Sequence, residues 1–448
     1  MRILHVPFSF WPDVPGGTEI YVAHLCRALR ALNVESSVAV PGPADTVDRH
    51  DDIEVRRFRA SARTLDVLYG AADAGTIDAF RHVLEAVRPD VLHQHALSPA
   101  CSPALMATAR SFGIPVVFTY HTPTVSCQRG TLLRWGSELC SGVVSKEPCA
   151  ACVLQSFGLG RPLSHLLTRA PGALGESLAR CGIRGRVVTA LRVPSLMGQR
   201  REMIRAAFDL PDRIVALASW VRLLLLNNGV PAGRIVSVPH GLPGAAQLGT
   251  EDGRRGRALR TVCLGRLHPT KGMHLAVAAV RALPDADLEL DVIGVAQDGE
   301  GQRFKRDLVA SASGDRRIRF LDPWPHDAVV TRLSAYDVAL VPSQWLETGP
   351  LVALEAFAAR VPVIGSAIGG LLDHVRDNVD GLLVRPFDSV DAWTQALDRC
   401  VSDRAWLSGL RSHIRPPRSM GTVADEMADI YRSVVSSRSA SAAVAAVS

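Results

Sequence analysis

Short β-rich runs alternate with helical stretches along this chain, and the alternation stops once before it begins again. The interruption is Leu242–Arg260, which is rich in glycine and charge. Before it, runs such as Arg2–Val6 and Val91–His93 predict buried strands, and Thr18–Leu32 carries apolar residues at helical spacing. Strand–helix alternation is typical of parallel sheets covered by helices on both faces. The pattern therefore predicts an α/β chain of two Rossmann-like parallel-sheet domains that face each other across a cleft.

The interruption also sets the domain boundaries that we expect. The N-terminal domain takes residues 1–241, a linker takes residues 242–260, and the C-terminal domain takes residues 261–415. We expect residues 416–436 to form a helix that packs back toward the N-terminal domain, and residues 437–448 to be a disordered tail. A length of 448 residues agrees with two domains, because one ordinary core does not grow so large.

The strands that we predict were located from apolar, β-branched runs bounded by turn residues. In the first domain the further strands are Ser37–Val40, Ile53–Phe58, Val116–Thr119, Ile214–Ala218 and Ile235–Val238. In the second domain they are Thr261–Leu264, Leu288–Ile293, Ile318–Leu321, Val338–Val341, Pro362–Ile364 and Gly381–Val384.

Positive charge is concentrated in one stretch of the chain. The formal net charge is +6, and residues 153–208 contain nine arginines but only two acidic residues, Glu176 and Glu202. Such a stretch suits an anionic membrane surface, a phosphorylated acceptor or nucleic acid, or is simply a solvated helical face. It lacks interleaved aromatic residues, so we expect no nucleic-acid partner. No run is apolar enough to cross a bilayer, and we expect a cytoplasmic protein with a peripheral contact at the inner membrane face.

A glycine pair follows the first predicted strand and precedes the first predicted helix. Gly16 and Gly17 let backbone amides approach an anion at a helix N-terminus. The segment does not match G-x-G-x-x-G, so the dinucleotide fingerprint is absent. A simple turn with Thr18 as the helix N-cap explains the same residues.

A second turn, Gly265–Gly272, carries two cations between a predicted strand and a predicted helix. Arg266 lies at the strand end and Lys271 at the helix start. The chain has three lysines against 47 arginines, so a lysine in this turn is informative. Both charges can converge on one phosphate, and we expect a phosphate site here, although the P-loop pattern is not matched.

A third strand-to-helix loop, Pro342–Pro350, contains a carboxylate. Glu347 lies in the loop, and Glu355 follows eight residues later, about two turns into the next helix. Amides at the helix start can face an anion, and a carboxylate suits sugar or ribose hydroxyls. Ordinary helix-capping acids would give the same pattern.

These segments occur in order with VLHQHA at Val91–Ala96, YHTP at Tyr120–Pro123, VPHG at Val238–Gly241 and the run Val361–Val384. Together they resemble family 4 glycosyltransferases, which are retaining enzymes of the GT-B fold. The resemblance covers about Arg2–Asp388, and the ordered set is far more specific than any one motif. It implies a transferase that moves a sugar, with retention, from a nucleotide-diphosphate sugar to an acceptor hydroxyl on a glycan, a lipid-linked sugar or a small metabolite.

The resemblance also implies roles for individual residues. His121 approaches the donor sugar, Arg266 and Lys271 neutralise the diphosphate, and no catalytic metal is expected. The catalytic residues would be His121, Arg266, Lys271 and Glu347, and the substrate-binding residues Gly16, Gly17, Thr348, Gly349, Leu351 and Glu355. Two alternatives are a nucleotide-sugar epimerase of the same fold and a non-catalytic nucleotide-binding scaffold. The combination of Glu347, Glu355 and the Gly265–Gly272 turn favours the transferase.

Four of the nine cysteines lie in an insertion at residues 124–155, directly after His121. They are spaced C-x12-C-x8-C-x2-C, at Cys127, Cys140, Cys149 and Cys152. Four thiolates so close in sequence suit a structural zinc ion or an iron–sulfur cluster, and free thiols are the alternative. The insertion has no strong core pattern, so a metal would order it. We expect His95 and His240 to be hydrogen-bonded structural histidines near the cleft.

Overall fold

The computed structural model describes residues 1–13, 16–60, 64–169, 172–183, 185–243 and 258–445, with the side chains of residues 172–173 and 439–445 left out. The chain forms two compact units. The first comprises residues 1–238 with residues 421–448, and the second comprises residues 239–420. Most of the expected linker, residues 244–257, lies outside the described residues.

The first unit is built on an eight-stranded sheet with the order β10-β9-β6-β5-β1-β2-β4-β3. Its neighbouring strands are parallel, except that β3 pairs antiparallel with β4 at the edge. A separate two-stranded hairpin, β7–β8, lies in the insertion. The strands are β1 Arg2–Val6, β2 Glu35–Gly42, β3 Thr46–His50, β4 Ile53–Arg59, β5 Val91–Gln94, β6 Val116–Tyr120, β7 Leu133–Arg134, β8 Glu138–Leu139, β9 Arg213–Ala216 and β10 Ile235–Ser237.

Nine α-helices precede the second unit in the described part of the chain. The first, α1, begins at Gly17 with Gly16 as N-cap, so the alternative interpretation with Thr18 as N-cap is wrong. The Glu19 side chain accepts from the Gly16 amide at 2.8 Å, which is one half of a capping box, since Gly16 has no side chain to supply the other. The helices are α1 Gly17–Arg30, α2 Leu65–Leu68, α3 Ala74–Val87, α4 Pro103–Ser111, α5 Lys146–Ser156, α6 Arg161–Leu167, α7 Gly172–Arg180, α8 Arg186–Asp209 and α9 Ser219–Asn227.

The second unit has a six-stranded, wholly parallel sheet with the order β13-β12-β11-β14-β15-β16. Its strands are β11 Leu259–Leu264, β12 Leu288–Ile293, β13 Ile318–Leu321, β14 Val338–Val341, β15 Val363–Ser366 and β16 Gly381–Val384. Its helices are α10 Met273–Arg281, α11 Gly299–Ser311, α12 Val329–Leu333, α13 Leu351–Ala358, α14 Leu371–His374, α15 Val390–Ser402 and α16 Arg404–Ser412.

Helices cover both faces of this second sheet. Cys263 and Leu340 belong to a buried cluster that contains Trp393, whereas their chain neighbours Val262 and Ala339 belong to the cluster on the other face. Successive strand residues point to opposite faces, so a strand buried on both sides is apolar throughout. This explains why these strands were visible in the sequence as continuous apolar runs.

The last helix, α17 Met420–Ala445, contributes most of its length to the first unit. It buries a stripe that includes Val423, Met427 and Tyr431. The disordered tail that we expected from residue 437 is wrong as far as Ala445, because the helix continues to that residue. Residues 446–448 lie outside the described part of the chain. Among the described residues, no helix combines the length and hydropathy needed to cross a membrane.

Candidate functional site

The strand order of the second unit locates one site. The first strand of this unit, β11, has β12 and β13 on one side and β14, β15 and β16 on the other. The chain therefore reverses direction across the sheet between β11 and β14, and ligands of open α/β sheets bind beyond the strand ends at such a switch point. The Gly265–Gly272 turn follows β11 and the Pro342–Pro350 loop follows β14. Two of the three predicted loops thus meet at this edge of the sheet.

Lys271 and Glu347 form an ion pair at this switch point. Lys271 Nζ lies 2.8 Å from Glu347 Oε2, and the two side chains are 20% and 10% exposed. Burial acts to raise the pKa of Glu347, but the charge and hydrogen bond of Lys271 outweigh it and hold this pKa below its ordinary value. The Ser343 hydroxyl donates to the other carboxylate oxygen. Glu347 is therefore an ionised, fixed acceptor beside a cation.

Two further groups around this pair can bind an anion. Arg266 is half-buried, and its guanidinium has no hydrogen bond or ion pair among the described residues. The amides of Gly349 and Leu351 donate to no described residue, and Leu351 is the first residue of α13. Cationic and amide donors at a helix start are the groups that bind phosphate oxygens.

Gly272 holds the two loops together. Its φ is +67°, in the left-handed region, and a Cβ built there would lie 1.7 Å from the Pro342 carbonyl oxygen. The Gln344 amide also donates to the Thr270 carbonyl at 2.7 Å. A residue with a side chain at position 272 would push these loops apart, so glycine is required by both dihedral and contact.

Glu355 lies inside α13 and is almost fully buried, at 7% exposure. Its burial raises the pKa of its carboxyl to about 7. The nearest cationic candidate is His326, whose Nδ1 lies 3.8 Å from Glu355 Oε1. A buried carboxyl with so little compensation is poised to accept hydrogen bonds from a ligand.

The first unit brings its predicted residues to a switch point of its own sheet. There β1 lies between β2 and β5, and β6 follows β5. Gly16 and Gly17 follow β1, and His121 follows β6. The Gly16 amide is taken by Glu19 at 2.8 Å, whereas a Cβ on Gly17 would meet nothing within 4 Å. Of the pair, Gly17 is the residue that leaves open space beside the helix start.

His121 is 5% exposed and contacts the Tyr21 ring edge-on, with the ring centroids 5.0 Å apart. Its Nε2 lies 3.0 Å from Nδ1 of His95. His95 is thus hydrogen-bonded as expected, and it connects His121 to the buried interior of the sheet. Among the described residues, His5, His93 and His95 alone bring three candidate metal-binding atoms within 4.8 Å of one another. Both ring nitrogens of His93 and of His95 have hydrogen-bond partners, so we interpret this group as a network and not as a metal centre.

Both units match models of known protein families. Residues 16–157 match the model described as Glycosyl transferase 4-like domain, and residues 251–415 match Glycosyl transferases group 1. The 2-deoxystreptamine N-acetyl-D-glucosaminyltransferase of Streptomyces fradiae is 29% identical over 90% of this chain and 89% of its own. The D-inositol 3-phosphate glycosyltransferase of Frankia alni is 29% identical over 88% of each chain.

A solved structure shares the whole architecture. HepE of Anabaena in complex with UDP has a TM-score of 0.66 at 15% identity, over 97% of this chain and 100% of that one. This chain is a glycosyltransferase of the GT-B fold. The fold class expected from strand–helix alternation is confirmed, as is the use of a nucleotide-sugar donor by a transferase.

The cysteine insertion of the glycosyltransferase folds into the hairpin β7–β8 followed by α5. Cys149 Sγ accepts from the Ser145 amide at 3.5 Å, and Cys152 Sγ accepts from the Trp135 amide at 3.4 Å. Burial chiefly raises the pKa of both thiols, and Cys127 and Cys140 lie close enough to add to the shift. All four thiols are free and half-buried.

The insertion is not without a core, contrary to our expectation. Ala150, Val153 and Leu154 of α5 pack against Val193 and Leu196 of α8. The pattern was missed because α5 is short and its apolar partners lie some 40 residues further along the chain. A metal is therefore not needed to order the helix itself, and the metal prediction rests on the cysteines alone.

Several residues that shape the glycosyltransferase site were missed from the sequence. Ser343 fixes Glu347, and the Gly370 amide donates to the Glu347 carbonyl at 2.7 Å. His240 and His374 flank Gly349, where a Cβ would lie within 2.8 Å of either ring. Burial lowers the pKa of His240 to about 3, so this histidine is neutral. Position was the only sequence signal for Ser343, Gly370 and His374, which follow strands or lie in motifs without an individual assignment, whereas His240 was expected as a structural histidine.

Proposed function

We propose that this glycosyltransferase moves a hexosyl group, with retention, from a UDP-sugar to a hydroxyl of a cyclitol. The donor half is supported by the Lys271–Glu347 ion pair at the β11/β14 switch point, in the two loops that also carry Arg266 and the amides at the start of α13. As the bond between the anomeric carbon and its oxygen breaks, charge accumulates on the diphosphate. Fixed cations and amides directed at that charge lower the barrier.

Each predicted site residue has a part in this proposal. Lys271 and Arg266 neutralise the diphosphate, Glu347 meets the transferred sugar, and the amides of Thr348, Gly349 and Leu351 hold sugar and phosphate. Glu355 accepts hydrogen bonds from the ribose hydroxyls, Gly16 and Gly17 contact donor phosphate or sugar, and His121 contacts the donor sugar. Protein cations do here what a divalent metal does in other transferases, so we propose no catalytic metal.

The donor and acceptor classes are inferred from relatives. HepE is described in complex with UDP, which supports uracil as the base. The two relatives matched over their full length are named for action on 2-deoxystreptamine and on D-inositol 3-phosphate. Both acceptors are six-membered carbocycles with several hydroxyls. A cyclitol, free or phosphorylated, is therefore the small-metabolite acceptor to test before glycans and lipid-linked sugars.

A donor and acceptor screen tests the proposal. Purified protein is incubated with UDP-glucose, UDP-N-acetylglucosamine or the GDP and ADP analogues, with and without 2-deoxystreptamine or inositol phosphate. We expect acceptor-dependent release of UDP and a product whose anomeric proton coupling matches that of the donor. Interconversion of donor sugars without acceptor would indicate an epimerase, and nucleotide binding without turnover would indicate a scaffold.

We further propose that Cys127, Cys140, Cys149 and Cys152 hold a structural zinc ion or iron–sulfur cluster. The set of four thiols suits either, and two of the sulfurs accept backbone N–H groups, which offset part of the rise in pKa that burial causes. The sulfurs are not gathered within 4.8 Å of one another, which weakens the support from geometry. Metal analysis of the purified protein decides this, and less than stoichiometric zinc or iron would count against it.

A peripheral membrane contact is the last part of the proposal. Large apolar side chains are exposed between residues 157 and 187, including Leu166 at 64% and Val187 at 73%. They lie in the arginine-rich stretch, although Arg192 and Arg200 are engaged within the fold. Exposed apolar and basic residues together suit an anionic surface. Sedimentation with vesicles containing phosphatidylglycerol, compared with phosphatidylcholine alone, tests this, and a Leu166→Ser/Val187→Ser variant should no longer sediment.

A further inference from the structure

Three histidines form a continuous hydrogen-bonded chain that ends at the candidate site. His121 Nε2 lies 3.0 Å from His95 Nδ1, and His95 Nε2 lies 3.0 Å from His5 Nδ1. The rings come from three neighbouring strands, since His5 is in β1, His95 follows β5 and His121 follows β6. All three are buried, at 0%, 1% and 5% exposure. The chain therefore links His121 to the closed interior of the first unit.

Each contact along this chain joins two nitrogens, so each must contain one proton. Burial lowers the pKa of His5 to about 3 and that of His95 well below its ordinary value, so these rings are neutral and carry one proton each. If one ring is protonated on Nδ1 and the next on Nε2, either two N–H groups or two lone pairs face each other. Only two arrangements avoid this, with all three rings protonated on Nδ1 or all three on Nε2.

The closed end of the chain selects between these arrangements. His5 Nε2 is buried and has no hydrogen-bond partner among the described residues. If all three rings are protonated on Nε2, His5 Nε2 carries a buried N–H without an acceptor. If all three are protonated on Nδ1, His5 Nε2 carries only a lone pair without a donor. Buried, unpaired N–H groups are the rarer of the two in folded proteins. The Nδ1 arrangement is therefore favoured.

We propose that His95 and His5 are positioning residues that fix His121 as its Nδ1–H tautomer. His95 donates to His121 Nε2, which orients the ring and leaves the proton on Nδ1. His121 then acts as a hydrogen-bond donor and not as a base. A donor is the group needed beside a sugar hydroxyl oxygen. This inference rests on the role proposed above for His121 at the donor sugar, but the tautomer itself does not depend on that role.

His93 supplies a matched control inside the same cluster. It is as deeply buried as His5, and its ring lies tilted against that of His95 at a centroid distance of 3.8 Å. However, its nitrogens bond to the Tyr431 hydroxyl at 2.6 Å and the Thr119 hydroxyl at 2.7 Å. It is therefore outside the chain that ends at His121. Disturbing His93 affects packing without altering the hydrogen bond to His121.

The test is the tautomer of His121 in protein labelled with ¹⁵N-histidine, read from long-range ¹H–¹⁵N correlation spectra. The resonance is assigned as the one that disappears in His121→Asn. We expect an Nδ1–H pattern in the wild type and in His95→Asn, whose amide can replace Nδ1 of the ring. His95→Gln places its amide at the Nε2 end, so His121 should lose the fixed tautomer. In His95→Gln we expect kcat for sugar transfer to fall about tenfold or more, with KM for the donor nearly unchanged.

The control variant His93→Gln should lower stability but keep both the His121 tautomer and kcat. An Nε2–H pattern in the wild type, or an unchanged tautomer in His95→Gln, would overturn the proposal. The wild-type spectrum decides the tautomer even if His95→Gln does not fold. A fixed Nδ1–H tautomer in a protein that transfers no sugar would refute the proposed function and leave the positioning by His95 intact.

Discussion

At the residue scale, the proposed donor site depends on the ion pair formed by Lys271 and Glu347. Lys271→Ala removes a cation that balances the departing diphosphate, so we expect turnover to fall by roughly 10²–10³ while the fold persists. Lys305→Ala is the matched control, because Lys305 is an exposed lysine in α11 of the same unit. Initial rates of UDP release measure both. Near-normal rates in Lys271→Ala would refute the phosphate role.

The same pair also predicts a coupling in stability. Lys271→Met leaves the Glu347 carboxylate buried without its cation, which should cost about 3 kcal/mol of unfolding free energy. Glu347→Gln in the same chain removes the stranded charge, so the double variant should regain most of this stability and none of the activity. Denaturant unfolding of the single and double variants gives the coupling energy. Additive losses would show that the ion pair is not formed.

Glu355 predicts how stability depends on pH. Its folded pKa of about 7 lies above the ordinary value of 4.5, so the folded state binds this proton more tightly. The stabilisation of the folded state that protonated Glu355 contributes is fully present below pH 4.5 and is lost as the pH rises through 7. Glu355→Gln stays neutral, so it should be more stable than the wild type by about 3 kcal/mol at pH 8, and equal to it near pH 4. Melting curves of the wild type and Glu355→Gln at both pH values measure this difference, with Glu202→Gln as the exposed control. The same pH dependence in the wild type and Glu355→Gln would contradict the prediction.

At the element scale, the start of α10 depends on one glycine. Gly272→Ala meets both an unfavourable φ and the Pro342 carbonyl, so it should destabilise the protein by more than about 3 kcal/mol and weaken nucleotide binding. Gly314→Ala is the control, since Gly314 has φ +86° but a Cβ there meets nothing within 4 Å. It should cost about 1 kcal/mol. Equal losses of melting temperature would show that the contact with Pro342 is unimportant.

The sequence predicted the elements whose burial leaves a pattern. β12, β14 and β16 begin and end where the predicted runs do, because most of their residues are buried. By contrast β3, Thr46–His50, is an exposed edge strand whose single apolar residue, Val47, is itself exposed, so no apolar run marks it. The hairpin β7–β8 is too short to show a period. Strand detection therefore follows burial and not strand formation as such.

The candidate site was predictable where a residue type is unusual for its position. Lys271 was conspicuous because lysine is rare here, and Glu347 because it precedes a helix start. The chain His5–His95–His121 was not predictable, because it depends on which strands are neighbours and on their register. His5 pairs with His93 across β1 and β5, and no spacing within the sequence encodes that pairing.

At the scale of the whole molecule, the two units are not consecutive pieces of chain. The first unit is completed by α17, whose Tyr431 hydroxyl lies 2.6 Å from His93 Nδ1. Removing residues 421–448 should therefore unfold the first unit, since it exposes the apolar face that α17 covers. Removing only residues 439–448 should leave the melting temperature within about 2 °C of the full chain.

Differential scanning calorimetry distinguishes these truncations. Loss of one transition in the shorter chain, with the other retained, is the expected result for two units that each have a core. Unchanged melting of the chain that ends at residue 420 would show that α17 is not part of the first unit. The full chain and the chain that ends at residue 438 are the controls for the chain that ends at residue 420.

The central claim is that the second unit binds the diphosphate of a nucleotide sugar through Lys271 and its neighbours. Isothermal titration of wild type and Lys271→Ala with UDP and with uridine tests it most directly. We expect the wild type to bind UDP at least tenfold more tightly than uridine, and Lys271→Ala to lose most of that difference while binding uridine as before. Equal affinity of both proteins for UDP, or equal affinity of the wild type for UDP and uridine, would contradict the account.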